Sequence, residues 1–468
     1  MAYNLHDIKV EGLELEQIII CSVEGAINEH SKLYLNALIK DEKSIIELKA
    51  GDKRICVYFD DKESGKHILF YGIVSDLNIW LENGLRILRV EAISYSYMLA
   101  YEKKSRSFQN ISMKYSELVS LIVKDYENIK TIVEIPDKSI ENIIVQYEET
   151  DWDFLKRILS EIGSCITPEI TSDGISLYIG IPNKEAQNIP YQIINIKKDF
   201  KIYYYMKANQ EFVQDVYYSS FFINSYEHCN IFENVYINEK IFTIYQYKYV
   251  FYGSELSCGY NLQHKEGLKQ KRIYPMNIIG VALEGNIKAV NGDKVQIKLN
   301  IDNRHKNDSI YWFSFSTISA SNDGSGWYCM PEVNDIVRLY FPSKYMNQAI
   351  ALSAVSNYVV ERGSEDKMQD PNVKFLSTKH NQALILAPDK VQLSCNGNAV
   401  LSLTTDGKVE LIANETVNII GEESVSVLAE EINIHASESV EILSLQGGTL
   451  NLTKTGDVVL LGTEVKVN

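Results

Sequence analysis

The sequence lacks the features that mark membrane proteins and disulfide-rich secreted proteins. It has no run of about 20 apolar residues and no basic segment followed by an apolar one at the N-terminus, so we expect a soluble chain made in the cytoplasm. Seven cysteines stand singly and form no C-x-x-C pair. This spacing favours free thiols in a reducing compartment over a disulfide framework.

Catalytic and metal-binding signatures are missing as well. None of the eight histidines has H-x-H or H-E-x-x-H spacing, and there is no nucleophile elbow, phosphate-binding loop or dinucleotide fingerprint. We therefore expect no enzymatic activity, no metal and no other cofactor. Acidic residues outnumber basic ones by 62 to 46, for a net charge of -16, which argues against nucleic acid as a partner.

Glycine and proline are scarce, at 25 and 9 residues, whereas the chain has 30 tyrosines and frequent isoleucine and valine. This composition favours strands over helices. Aromatic residues are absent after Phe375, so the tail of the chain differs from the rest. In the tail, segments in which Val, Ile or Leu alternate with polar residues recur every 7 to 10 residues, most often 8. The pattern predicts stacked strands with one buried face.

An eight-residue unit supplies one strand and one corner, which is too little to enclose a core within one chain. Three chains wound together would each donate one face per level and cover the strand edges. We therefore expect residues 361–468 to form a triple-stranded β-helix, the prism of a homotrimer. A hairpin meander is the alternative, although the Asn-Gly and Asp-Gly turns that it needs are sparse. The residues expected in the needle core are Val409, Leu411, Val417, Ile419, Val425, Val427, Ile432, Ile434, Val440 and Ile442.

Residues 266–360 have the pattern of a small barrel. Asn291-Gly292 predicts a hairpin, and Val295, Ile297 and Leu299 then alternate with polar residues. Several short strands within about 80 residues suit a barrel of the OB type.

The first 265 residues combine strands with two predicted helices, over residues 114–127 and 150–161. Thr150 is the expected N-cap of the second helix and Gly163 its stop. Asp151 and Asp153 fall in its first turn, where carboxylates stabilise the helix dipole, so we expect caps rather than catalytic groups.

The second helix lies in a segment that resembles a known family. Residues 147–163 read Y-E-E-T-D-W-D-F-L-K-R-I-L-S-E-I-G, similar to the Q-Y-x-E-T-D-x-D-F-L-x-R-L-x-E-x-x-G segment of VgrG proteins and related phage tail hub proteins. Gly72 to Ser75 fits the glycine-containing strand of the family's first hub domain. Residues 327–337 resemble its P-x-v-G-D-x-V barrel motif, with Asn334 in place of the glycine.

The resemblance implies a mainly β protein: a hub of β-barrel-like domains with a small α/β part (residues 1–265), an OB-fold barrel (266–360) and a C-terminal triple-stranded β-helix (361–468). Its implied function is the structural spike at the tip of a contractile injection machine, which is a type VI secretion apparatus, an extracellular injection particle or a phage-like tail. Contraction of a sheath would drive this spike through the target envelope.

The resemblance also implies partners. Three hubs would dock on a hexameric, Hcp-like tail tube, and a PAAR-type tip protein would sit on Val465 and Val467 at the end of the needle. Baseplate components and effectors are further expected partners, and the target membrane is a transient one. The spike would be cytoplasmic during assembly and would reach the extracellular space or a target cell on contraction.

Two other functions stay open. A trimeric tail fibre or adhesin that binds surface glycans would also carry a repetitive needle, and binding to the tube protein would separate the two. A polysaccharide-cleaving enzyme would need paired carboxylates, for which Glu422-Glu423 and Glu430-Glu431 are the candidates. Adjacent residues of a strand point to opposite faces, so these pairs are poorly placed as acid and base.

One pair of substitutions tests the expected facing of the needle strands. Ile419→Asp would bring carboxylates of three chains near the prism axis, at a cost of several kcal/mol, so we expect the trimer to be lost. Asn418→Asp, on the opposite face, should leave it intact. Light scattering gives the mass of each variant, and equal tolerance of both substitutions would show that the facing is wrong.

Overall fold

A computed structural model describes residues 7–42, 54–61, 65–209, 213–252, 255–302, 311–352, 358–360, 366 and 368–464. The chain divides into two units, Met1–Asn357 and Tyr358–Asn468. Its architecture is mainly β, as the sequence predicts, and the described residues include three α-helices: α1 (Tyr115–Val123), α2 (Asp151–Glu161) and α3 (Phe200–Asn209). No helix in these ranges is both long enough and apolar enough to cross a membrane.

The first unit contains the strands up to residue 352. They are β1 (Ile8–Glu11), β2 (Gln17–Ala26), β3 (Lys32–Leu38), β4 (Arg54–Asp61), β5 (Gly65–Glu82), β6 (Leu85–Ser94), β7 (Lys103–Phe108), β8 (Lys130–Glu134), β9 (Ile144–Thr150), β10 (Ile166–Pro168), β11 (Ser176–Gly180), β12 (Ala186–Gln187), β13 (Gln192–Lys198), β14 (Ser219–Ser225), β15 (Asn234–Ile237), β16 (Lys240–Tyr252), β17 (Glu255–Gln263), β18 (Ala282–Asn291), β19 (Lys294–Leu299), β20 (Trp312–Phe315), β21 (Ile336–Tyr340) and β22 (Ile350–Leu352).

A 12-stranded sheet dominates this unit, in the order β1-β4-β5-β6-β3-β2-β16-β17-β14-β13, with β15 beside β16 and β12 beside β15. Residues alternate between its faces: Leu33, Leu35 and Ala37 of β3 are buried in the core, and their neighbours are not. Gly72 of β5 allows a close approach between strands. A Cβ at that position would lie 2.4 Å from the carbonyl oxygen of Ile93, so a larger residue would force the strands apart.

The helical part of the unit packs α1 and α2 with the three-stranded sheet β10-β11-β8 and the pair β7-β9. Thr150 caps α2 as predicted, because its hydroxyl accepts the N–H of Asp153, and Gly163 follows the helix end with φ of +66°. The other helix, α1, ends at Val123, earlier than predicted. The chain tightens there into i→i+3 turns, in which Asp125 and Tyr126 donate to Ile122 and Val123.

The barrel predicted after the hub is present as a closed five-stranded sheet, β18-β19-β20-β22-β21. Val295, Ile297 and Leu299 are buried in its core, which confirms the alternation seen in the sequence. Asn334, which stands where the resembled motif has glycine, adopts φ of +78°. Asparagine tolerates this left-handed conformation better than most residues do, so the turn forms without glycine.

The second unit contains two antiparallel meanders. One has five strands and the other three: β23 (Lys374–Ser377), β24 (Gln382–Leu386), β25 (Lys390–Cys395), β26 (Ala399–Thr404) and β27 (Val409–Ala413), then β28 (Val440–Leu443), β29 (Thr449–Leu452) and β30 (Val458–Leu461).

These eight strands pair within one chain, whereas the sequence led us to expect pairing with strands of other copies. Turn chemistry explains the difference. Asn396 and Gly397 both have positive φ, as do Gly407, Gly448 and Gly456, so each connection can reverse the chain. The hairpin meander, which was the alternative in the sequence analysis, is therefore the arrangement of these two segments within one chain. The interleaved β-helix stays a prediction for the assembled protein.

His30, in the turn between β2 and β3, connects the large sheet to α2. Its Nδ1 is hydrogen-bonded to Ser96 Oγ at 2.7 Å, and its ring lies 4.1 Å from that of Trp152. Burial, with a smaller contribution from the positive charges of Lys156 and Lys32, lowers the pKa of His30 to about 4. The folded protein therefore holds this imidazole neutral at pH values where an unfolded chain protonates it.

Protonation of His30 should make folding pH-dependent. Because its pKa is lower in the folded chain, the unfolded chain binds more protons below about pH 6.5, and stability should fall as the pH drops from 6.5 toward 4. Between pH 7.5 and 4.5, we expect the free energy of unfolding to decrease by about 2 to 3 kcal/mol less in His30→Gln than in the wild type. The measurement is the free energy of urea unfolding at pH 7.5 and 4.5. His380→Gln, at an exposed position, is the control, and an unchanged loss in His30→Gln would contradict the assignment.

Candidate functional site

A cluster of charged side chains lies at the start of α2, with Asp151 and Arg106 buried and Lys104 and Asp125 partly exposed. Asp151 is fully buried and accepts hydrogen bonds from Arg106 at 2.5 Å, Lys104 at 2.8 Å and Tyr126 at 2.8 Å. Asp125 accepts from Arg106 and Lys104 at 2.9 and 3.0 Å. Burial raises the pKa of Asp125. The hydrogen bonds from Lys104 and Arg106 lower this pKa by more than burial raises it, so the net shift is downward. Each carboxylate is thus paired with cations, the condition under which a protein tolerates buried charge.

The polar residues of the segment 147–163 hold one another in place. Glu149 accepts hydrogen bonds from Arg157 Nε at 3.0 Å and Arg157 Nη2 at 2.8 Å. Thr150 Oγ1 donates to the Asp153 carboxylate at 2.9 Å as well as capping the helix. Asp153 therefore lies at the helix cap, as the sequence predicts. Asp151 was expected to be a cap as well, but it forms ion pairs with Lys104 and Arg106 of β7 instead.

The strand β7 also fastens this region to the barrel. The backbone N–H and the hydroxyl of Ser107 both donate to the buried carboxylate of Asp302, each at 2.6 Å. Gln109 donates to a barrel carbonyl at 3.1 Å. Ile143 and Val145, which lie at and just before β9, are buried in the hydrophobic core of the barrel. The α2 region is therefore attached to the barrel by buried hydrogen bonds and by residues at β9 that pack in the barrel core.

These groups make structural contacts with one another. In the described ranges, no group of three or more His, Cys, Asp or Glu side chains is placed to hold a metal ion. The carboxylate pairs considered for catalysis, Glu422-Glu423 and Glu430-Glu431, are exposed to solvent. The described surfaces that stand out are strand edges and apolar faces, which are features of assembly.

The 12-stranded sheet has two long open edges among the described residues. β13 pairs with β14 alone, and all 7 of its residues are exposed. The other open stretch is on β5, next to the shorter strands β4 and β1. Its first part pairs with β4, Gly72 and Ile73 pair with both β4 and β6, and its last part, from Asp76 to Glu82, pairs with β6 only among the described residues. Ile194 and Ile196 on β13 and Leu81 on β5 are exposed along these edges. Long apolar edges of this kind template pairing with another strand.

The second unit exposes apolar faces. Opposite residues on the five strands of its larger meander form a leucine row, and one face of the smaller meander is likewise apolar. The leucine row is Leu376, Leu384, Leu393, Leu401 and Leu411, and the apolar face of the smaller meander is Val440, Ile442, Leu450, Leu452, Val458 and Leu460. Leu411 is 56% exposed and Ile442 also 56%, so these side chains lack the cover that a core requires.

The needle-core residues predicted from the sequence fall into two groups. Val409, Leu411, Val440 and Ile442 lie on the apolar faces of the two meanders. The other six, Val417, Ile419, Val425, Val427, Ile432 and Ile434, lie between residues 414 and 439, where the chain forms no strand pair and all six are exposed. Val465 and Val467, expected to dock a tip protein, lie outside the described residues.

No family model and no curated protein matches the sequence. Solved structures are similar in fold. One is the E. coli c3393 protein, described as a component of the type VI secretion system with structural similarity to the T4 bacteriophage tail proteins gp27 and gp5. Its TM-score is 0.53 at 11% identity, and the match covers 75% of this chain and 100% of that chain.

Chains of two PdpA-VgrG complexes are also similar. The half-lidded Francisella complex gives a TM-score of 0.52 at 13% identity, over 86% of this chain and 87% of that chain. The lidless complex gives 0.53 at 14% identity, over 86% and 97%. At such low sequence identity, the structural similarity establishes a shared fold and does not establish a shared function. The chain has the fold of VgrG-like spikes and phage tail hubs.

Proposed function

We propose that three copies of this chain form the spike of a contractile injection machine, which punctures a target envelope and couples the tail tube to a tip protein and effectors. The observation that carries the proposal is the partly exposed leucine row together with the exposed apolar residues between 414 and 439, where the chain forms no strand pair. A soluble monomer rarely exposes apolar surface of this extent. Three copies around one axis would bury these faces against each other, because a closed rotational assembly presents the same face from every chain.

The open edges of the first unit support the same assembly. All neighbours from β5 through β6, β3, β2, β16, β17 and β14 to β13 are antiparallel. With an even number of strands, the β5 and β13 edges run in opposite directions. A copy rotated about an axis along the strands therefore brings its β5 edge antiparallel to β13, and three such pairs close a ring. We propose that this ring docks on a hexameric tube.

Charge supports this pairing of edges. In the antiparallel alignment, the Asp76 end of the β5 edge would meet the Lys197 and Lys198 end of β13, where these lysines also pair with Asp199 and Asp215 of their own chain. Opposite charges across a strand pair are favourable, and like charges directly opposite are unfavourable. The buried contacts between β7 and Asp302 would transmit force from this ring to the barrel.

The proposal assigns no enzymatic role, since the structures of similar fold are tail and secretion components. The glycan-binding tail fibre is the competing function. Binding to the tube protein encoded in the same genome separates the two, because a fibre needs no contact with the tube. A PAAR-type protein is the proposed occupant of the needle end, and the assembled spike would leave the cytoplasm only on contraction.

The first test is the mass of the purified protein. We expect about 160 kDa, three times the 53.4 kDa of one chain, from light scattering at micromolar concentration. Ile194→Lys should shift the protein toward smaller species, because it places a charge in the paired edge at a cost of about 1 kcal/mol or more for each of three interfaces. Ile132→Lys, a matched change at an exposed position on β8, should leave the mass unchanged.

A charge exchange tests which edges pair. Asp76→Lys should weaken the trimer through repulsion from Lys197 and Lys198, and the further changes Lys197→Asp and Lys198→Asp should restore it. If the single variant retains the mass of the wild type, or if the exchange restores nothing, the β5 to β13 pairing is wrong. A wild-type protein with the mass of one chain would overturn the trimer itself.

A further inference from the structure

A short sequence repeat coincides with bends in the unpaired part of the second unit. Between β27 and β28 the chain bends near residues 414–415, 422–423, 430 and 437–438. The segments between the bends, 416–421, 424–429 and 431–436, contain no bend or turn, and we call them the straight runs. Each bend carries a glutamate two residues before an alternating apolar pair. The repeats are Glu415-Thr-Val-Asn-Ile, Glu423-Ser-Val-Ser-Val, Glu430-Glu-Ile-Asn-Ile and Glu438-Ser-Val-Glu-Ile.

The charge around these glutamates has one sign. No lysine or arginine occurs from Val409 to Thr453. Glu438 is the nearest to the end of this stretch, and Lys454 lies 3.8 Å from it. Glu415, Glu423 and Glu430, which we name the corner glutamates, are exposed and form no ion pair with any described residue. The carboxylates at these corners therefore repel any other copy of the same segment.

The straight runs themselves favour uncontrolled pairing. Ile419, Ile420, Val427 and Leu428 are between 71% and 99% exposed, and their backbone has no strand partner among the described residues. Extended, β-branched and unpaired segments of this kind template open-ended β-aggregates. Natural sequences protect such segments with flanking charges, which repel identical chains stacked in register.

We propose that the corner glutamates prevent the needle segments of unassembled chains from pairing outside the closed needle. The device operates before assembly and goes beyond the puncturing role, although its benefit depends on the proposed three-chain needle. In a prism of three chains, each bend falls at a corner, where a carboxylate can stay hydrated while the apolar pair that follows turns inward. In an open-ended stack of strands, the same carboxylates would align one above another at about 4.8 Å, with no cation in the segment to offset them.

The test uses the full chain and three variants. The first is Glu415→Gln/Glu423→Gln/Glu430→Gln. The control, Glu410→Gln/Glu441→Gln/Asp457→Asn, removes the same number of charges from the two meanders. The third, Glu415→Lys/Glu422→Lys/Glu423→Lys/Glu430→Lys/Glu431→Lys, gives all three corners a positive charge. Each protein is unfolded in urea and refolded by dilution, and light scattering and thioflavin T fluorescence follow species larger than a trimer.

We expect the share of protein in larger species to rise about fivefold or more in the corner Gln variant, and to stay at the wild-type level in the control and in the corner Lys variant. Equal aggregation of the corner Gln variant and the control would show that only net charge matters, and no aggregation in either would show that the corners protect nothing. Aggregation of the Lys variant would also overturn the proposal. A single-chain mass for wild-type protein would contradict the trimer without affecting this comparison.

Discussion

The second unit contains more apolar surface than one chain can bury, and this constraint governs how the rest of the protein is built. Its strands are short and form no large core of their own, so much of the leucine row and of the straight runs after it stays exposed. In the proposed assembly, the same faces of other copies would cover them. Among the described residues, the large sheet of the first unit also leaves backbone unpaired, along β13 and along the last part of β5. The proposed trimer, with its copies related by rotation, would meet both requirements.

The first unit is stiffened by buried polar contacts in addition to apolar packing. Buried Asp151 and Arg106 form an ion cluster with half-buried Lys104 beside α2, and Asp302 holds β7 to the barrel. Buried charges are stable only when fully paired, so loss of one member leaves another uncompensated. Such a region resists partial deformation. That property would suit the proposed puncturing role, and the polar residues of the segment 147–163 contribute to it as structural groups.

Turn residues decide how the strands of the second unit pair. Where residues with positive φ connect two strands, as at Asn396-Gly397, the chain reverses and forms a hairpin with itself. From 414 to 439 the bends carry glutamate instead, with one glycine at Gly421, and the chain advances without pairing. The same eight-residue period thus supports two arrangements. Periodicity reports the length of a strand unit, and the connection determines which strand becomes its neighbour.

Features that depend on neighbouring residues could be predicted from local sequence patterns. Alternation predicted the buried positions of β19, and Thr150 with Asp153 predicted the start of α2, because caps and alternating faces are set within a few residues. The ion cluster and the attachment of the barrel could be recognised only in the folded protein. Arg106 and Asp151 are 45 residues apart, and Ser107 and Asp302 are 195 apart. No local pattern records such contacts, since they form only when packing brings distant segments together and excludes water from both partners.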